Sequence, residues 1–327
     1  MRGQGFGRAV VVILSLAALA GQGGCLRRVE GDAWEGTKKL RVLATIVPWH
    51  CLAALVGEPD VEVRCFCITN GPHEFQPTVE EARLLNGADL VIANGLGLEG
   101  FLMPMVRSSG RRDLRVVRIA EELAKKGVPL IEVPGYQHHG HYHGPGNDPH
   151  VWLGWDEAER AAEMICDVMS EMRPDHKADF ALRLEQVRQR FAELRKLAEP
   201  LRQTEGALVT AHDAFRYFGR SVFGPDYEQR LLAVRGLHGE ELSPREFNNL
   251  VKLCQERNVR ALAYEPGSSP ALLERLQESL KKKLPLIELD PVETAEPYEG
   301  RRFYVSADWY FRRMEINMQR LREALLP

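Results

Sequence analysis

Residues 174–203 read PDHKADFALRLEQVRQRFAELRKLAEPLRQ, and this stretch decides how the rest of the chain is organised. Phe180, Leu184, Val187, Phe191 and Leu194 recur at steps of three and four, and Leu201 follows seven residues later. That is the period of an α-helix with one apolar face. Pro174 suits its first turn, because the ring presets φ and the missing N–H is one that turn leaves unused. A flexible linker carries no such stripe, so residues 174–202 predict one long, stiff helix between two halves of the chain.

On either side lie short runs rich in Val, Ile and Leu. LRVLATI at 40, VEVRCFCI at 61, ADLVIANG at 88 and LRVVRIA at 114 precede the helix; ALVTAH at 207, QRLLAVRG at 229, VRALAYEP at 259 and LPLIELDP at 284 follow it. Runs that are apolar on both faces and separated by helical stretches argue for parallel strands covered on both sides. The pattern predicts an α/β chain with an N-terminal lobe over 40–173 and a C-terminal lobe over 203–327.

The N-terminus is of another kind. Arg2 and Arg8 precede or flank AVVVILSLAALAG, an apolar run too short to cross a bilayer, which reads as the core of a signal peptide. Gln22-Gly23-Gly24 before Cys25 resembles a bacterial lipoprotein cleavage site with Cys25 as the lipidated residue, while Ala18-Leu19-Ala20 offers ordinary A-x-A cleavage. Both place the processed chain outside the cytoplasm, with residues 26–39 as a tether. A formal charge of −3 over 327 residues speaks against nucleic acid as a partner. Beyond Cys25, the cysteines 51, 65, 67, 166 and 254 are odd in number and include no C-x-x-C pair, so neither a disulfide framework nor a thiolate zinc knot is indicated. Cys65 and Cys67 would share one strand face as small apolar residues.

Four polar residues stand just after predicted strand ends, where open α/β sheets bind ligands: His73, His150, His212 and Asp290. Three imidazoles and a carboxylate would satisfy a tetrahedral divalent cation. Spacing alone leaves open whether they meet, since a lone histidine is more often a hydrogen-bonded structural residue. His50, His176 and His238 read as structural or exposed. NGLGLEG at 94 spells G-x-G-x-x-G after a strand, but it follows the third strand rather than the first and Pro104 is expected to interrupt the next turns, which argues against a dinucleotide site.

The contexts of the four carry more. GPHEFQPT at 71, DPHVWL at 148, AHDAFRYFGR at 211, and YEP at 264 followed by LDP at 289 succeed one another around the long helix, with NGLGLEGF at 94. Over residues 40–325 the chain resembles the metal-specific solute-binding proteins of zinc and manganese ABC transporters. The resemblance implies two lobes, each a four-stranded parallel sheet flanked by helices, joined by one long rigid helix with the metal in the cleft between them. It implies His73 and His150 as ligands from the first lobe, His212 and Asp290 from the second. It also implies a monomer that is not an enzyme, binds a divalent cation, and partners an ABC permease and its ATPase at a membrane. His212 stands where some manganese binders carry glutamate, which favours Zn²⁺ over the harder Mn²⁺ as cargo.

HHGHYHGPGNDPHVWL at 138 then divides in two. His150 is fixed by its neighbours Asp148, Pro149 and Trp152, whereas His138, His139, His141 and His143 are interleaved with glycine and proline in a surface loop over 136–144 and serve either no role or weak zinc collection. Glu74, Asp213 and Glu265 are expected to hydrogen-bond around the ligands. The rival functions are the same fold carrying Mn²⁺ or Fe²⁺, an adhesin or metal buffer on this scaffold, and an exported zinc hydrolase with Glu74 or Glu265 as base. The last lacks an H-E-x-x-H pair and an open coordination position.

Overall fold

The computed structural model describes residues 34, 37–73, 75–133, 136–138, 141–143, 146–235 and 242–326, with no side-chain description over 136–138 and 141–143. The leader with Cys25, and Glu74, His139 and His238, lie outside the described residues.

The first four apolar runs form β1 (Leu40–Ile46), β2 (Val61–Cys67), β3 (Leu90–Ala93) and β4 (Arg115–Arg118). They pair in parallel in the order β2-β1-β3-β4, with Val42 opposite Val63 on one side and Leu90 on the other. Beyond the long helix, β9 (Ala207–Thr210), β10 (Leu231–Ala233), β11 (Val259–Tyr264) and β12 (Leu286–Glu288) repeat this plan in the order β10-β9-β11-β12. Each sheet thus reverses strand order beside its first strand, and at such a reversal the loops leaving the carboxyl ends diverge and open a crevice.

Between the sheets, within the expected loop, stand two short antiparallel ribbons, β5 (Glu132–Val133) with β8 (Gly146–Asn147), and β6 (Tyr136–His138) with β7 (His141–His143). The Gly- and Pro-rich composition conceals this, because a backbone ladder needs extended φ and ψ but no apolar face.

The long helix runs Lys177–Arg202 after a 3₁₀ turn at Pro174–His176. Its buried face is Phe180, Leu184, Val187, Phe191, Leu194, Ala198 and Leu201. That stripe packs against helices Val47–Gly57 and Trp155–Met172 from the first half, and Arg216–Phe223 and Trp309–Leu325 from the second. Phe191 sits with its ring centroid 4.8 Å from that of Phe311 and 6.1 Å from that of Tyr310. One apolar face therefore bonds to both halves and fixes their relative position.

The chain after β12 leaves the second sheet and returns to the first. Ala295 donates to Ile68 O at 2.7 Å, and Cys65 donates to Phe303 O at 2.9 Å, so this segment covers the outer edge of β2. Trp152 Nε1 donates to Pro291 O at 2.8 Å and Tyr310 OH to Trp152 O at 2.6 Å. An edge strand whose amides would otherwise face solvent is satisfied, and residues 290–293 are brought over the first sheet. Cys65 and Cys67 are fully buried on β2, as small apolar residues would be. Among the described residues no helix is long and apolar enough to cross a membrane.

Candidate metal centre

His150 is built most firmly. Asp148 accepts from the His150 amide at 2.9 Å and lies 2.7 Å from its Nδ1, both through Oδ1. The motif is itself pinned: Asp148 N donates to Ile131 O, Tyr217 OH donates to Asp148 O at 3.2 Å, and Asn94 Nδ2 donates to Pro149 O at 2.9 Å. With Nδ1 engaged by a carboxylate, Nε2 carries the lone pair that can coordinate. That Nε2 is buried and has no hydrogen-bond partner among the described residues.

Two further groups reach it. His73, in the turn after β2, has its ring centroid 5.5 Å from that of His150. Glu293 places Oε1 3.5 Å from His73 Nε2 and 3.4 Å from His150 Nε2. The donor atoms of His73, His150 and Glu293 lie within 4.8 Å of one another. Burial pulls the His150 imidazole down, but the Asp148 carboxylate beside it, with Glu293, holds its pKa above the ordinary value. Burial conversely lifts Glu293, and His150 and His73 outweigh it, leaving that carboxyl well below the usual range. The cluster is a negative oxygen facing two imidazoles, which is what a divalent cation would find there.

His212 comes from the opposite sheet, just after β9. Its ring centroid is 6.0 Å from that of His150, and its Nδ1 contacts Glu265 Oε1. Glu265 thus orients the ring as a carboxylate does for a metal-binding imidazole. Asp290 is placed differently from the other three. Its Oδ2 accepts from Arg313 Nε at 2.5 Å and its Oδ1 accepts from Val292 N at 2.7 Å, while its backbone N donates to Asn317 Oδ1 at 2.9 Å. Burial raises its carboxyl pKa even against Arg313. Asp213 accepts from Arg216 Nε at 2.9 Å.

Glu293 is the residue that pattern reading passed over. A signal was present in LDPVE, where a second carboxylate stands three residues past the first at a strand end. A second group with metal-ligand spacing, Asp60, His176 and Asp179, lies at the start of the long helix. Arg183 already holds Asp60 at 2.6 Å, and a helix N-terminus disfavours a cation. The G-x-G-x-x-G loop binds its own side chain: Glu99 accepts from Asn94 N at 2.6 Å, Gly95 N at 2.9 Å and Thr45 Oγ1 at 2.6 Å, so those amides hold a carboxylate and not a phosphate. Pro104 falls inside the first turn of helix Leu102–Ser109 instead of breaking it, because a proline there removes no helical hydrogen bond.

Residues 42–324 match the family model described as zinc-uptake complex component A, periplasmic. The chain is 25% identical over 259 residues to the manganese-binding lipoprotein MntA of Halalkalibacterium halodurans, covering 78% of this chain and 79% of that one. It is 23% identical over 307 residues to the high-affinity zinc uptake system protein ZnuA of Bacillus subtilis, 91% of each. Among solved structures, the SBP FpvC of Pseudomonas aeruginosa in complex with Mn²⁺ superposes with a TM-score of 0.72 at 21% identity, covering 88% of this chain and 99% of that one.

Proposed function

The chain belongs to the zinc-uptake component A family, metal-binding solute-binding proteins of ABC transporters with zinc and manganese members, and from that premise we propose that it captures Zn²⁺ outside the cytoplasmic membrane and delivers it to an ABC permease and its ATPase. Cys25 would carry the lipid that keeps it at the membrane, where it works as a monomer. The seat is the seam where His73, after β2, and His150, before the turn Val151–Leu153, face His212, after β9, completed by a carboxylate from the segment carrying Asp290 and Glu293.

One observation carries this reading: the buried His150 Nε2 and the His73 Nε2 both face one carboxylate oxygen, Glu293 Oε1, at 3.4 Å and 3.5 Å. An imidazole-rich set suits Zn²⁺. Binding exchanges the imidazole proton and bound water for the cation, so no bond of any substrate is made or broken. Release to the permease requires loosening this set, and a helix that grips both halves through one apolar face favours small seam movements over wide hinge closure.

Manganese is the second reading, favoured by the name of the MntA relative and by two carboxylates, Glu265 and Glu293, beside the imidazoles. The His138–His143 segment would add weak zinc equivalents. Metal analysis of protein purified without added metal, then titration with buffered Zn²⁺ and Mn²⁺, tests the reading. One tight equivalent with Zn²⁺ preferred supports it; preference for Mn²⁺ selects the second.

A further inference from the structure

We propose that Trp34 docks the tether onto the first lobe, so that the chain between the lipid on Cys25 and the body ends at Trp34 and not at the first sheet strand. This rests on the lipid-anchor reading above, and it concerns a pocket that contains none of the metal-centre residues.

Trp34 stands six positions before β1, yet it is 4% exposed and belongs to the core that β1 and β2 build. Its Nε1 donates to Leu84 O at 3.0 Å, in the last turn of helix Val79–Gly87. The buried guanidinium of Arg64 lies 4.9 Å over the indole and 4.7 Å over the ring of Tyr304, so one cation is shared between the tether and the segment that returns from the second lobe. Glu62 holds Arg64 there, accepting from its Nε at 3.1 Å, and accepts from Tyr304 OH at 2.6 Å. An indole is best satisfied by apolar contact, an acceptor for its N–H and a cation over its face. This pocket supplies all three.

Two features mark the pocket as fitted to this side chain. A Cβ on Gly87 would stand 2.3 Å from Trp34 Cδ1 and 3.0 Å from its Nε1, so the ring lies against the helix end only because residue 87 is glycine. Trp34 itself has φ +61, a left-handed conformation that a bulky residue adopts only under constraint, and the docked ring supplies that constraint. The sheet does not need the contact, since the pairing of β1 with β2 starts at Leu40. What docking fixes is the tether. Nine positions separate Cys25 from Trp34 and span roughly 30 Å at full extension, whereas the fifteen positions to Leu40 would span roughly 50 Å. Docking therefore keeps the body close to the bilayer and moves the point where the lipid pulls to the end of helix Val79–Gly87. A shorter reach raises the effective concentration of the body at a partner in the same membrane.

The test uses the full lipidated chain on phosphatidylcholine bilayers as wild type, Gly87→Ala and Trp34→Ala, with circular dichroism to report the folded state. Trypsin sites flank the docked residue, Arg27 and Arg28 before it, Lys38 and Lys39 after it. The wild type should be cut at the first pair and resist at the second by at least about tenfold in rate, because cleavage there requires Trp34 to leave its pocket. Both variants should lose that protection. Neutron reflectometry should then place the body of each variant farther from the bilayer than wild type, by at most about 20 Å, the extended length of the six residues released. A wild type cut as readily at Lys38 and Lys39 as at Arg27 and Arg28 would overturn the docking, as would protection that survives in a folded Gly87→Ala and a folded Trp34→Ala. Lost protection with the body at an unchanged height would overturn the role in setting the reach. A mature chain whose N-terminal mass shows no lipid would overturn the anchor reading, and with it the tether proposal, separately from what trypsin reports about the pocket.

Discussion

Asp148 grips His150 twice with one oxygen, at 2.9 Å from the backbone amide and 2.7 Å from Nδ1. The ring is thereby fixed in position, with Nδ1 engaged and Nε2 left to face His73 and Glu293. Replacing Asp148 by Asn keeps the shape and removes the charge. Zn²⁺ affinity should fall about 10–100-fold, with the stoichiometry still one; chelator competition measures it, and an unchanged affinity would mean that the orientation of His150 does not matter.

Acid should weaken metal binding. The charges of Asp148 and Glu293 keep the His150 proton on beyond an imidazole's ordinary range, so the cation must displace that proton throughout the neutral region. Affinity should climb with pH, by roughly tenfold per unit for each proton released. Titrations between pH 5.5 and 7.5 in non-chelating buffers report this directly. A flat profile would show that the cation displaces no proton.

His50 predicts an acid-sensitive fold independent of metal. It is 1% exposed, and neither ring nitrogen has a hydrogen-bond partner among the described residues. Burial pushes its pKa down to about 4. Because the unfolded chain takes up this proton near pH 6.5 and the folded chain does not, stability is full above 6.5 and lost as pH falls toward 4, to a total of roughly 3 kcal/mol. His50→Leu should flatten that part of the pH–stability curve relative to wild type in chemical denaturation. An identical slope in both proteins would place the titration elsewhere.

Phe191 tests the strut. Its ring is buried between the long helix and the Tyr310–Phe311 pair. Phe191→Ala should cost about 3–5 kcal/mol of stability by emptying that space, while a folded variant at low temperature still binds one cation. Denaturant melts give the first quantity and a Zn²⁺ titration the second. A loss below 1 kcal/mol would mean the two halves are not joined through this face.

Much of this architecture was legible because it is periodic. The inner strands such as β3 and β9 are buried along their whole length, and the stripe from Phe180 to Leu201 is the buried face of the long helix. His73 and His212 were legible as residues following sheet strands, and His150 by its place in DPHVWL. Glu293 was not, because its place depends on a left-handed Val292 and on the return of residues 290–311 to the first lobe, and neither leaves a local pattern. Asp290 drew attention by position, yet its partners Arg313 and Asn317 come from a helix far along the chain. The ribbons around His138–His143 were hidden in the same way, since backbone pairing of polar residues has no hydrophobic signature.

Removing residues 136–144 separates the two classes of histidine. Weak zinc equivalents should disappear while the tight one remains, as read by isothermal titration. Loss of the tight equivalent would place part of the seat in that segment.

The most direct measurement is the zinc K-edge absorption spectrum of protein loaded with one equivalent of Zn²⁺, taken for wild type and His150→Ala. Nitrogen and oxygen scatterers at about 2.0–2.1 Å with imidazole outer-shell features are predicted for the wild type, and their loss for the variant. An unchanged spectrum after His150→Ala would put the ion somewhere else and contradict a cation seat between the two sheets.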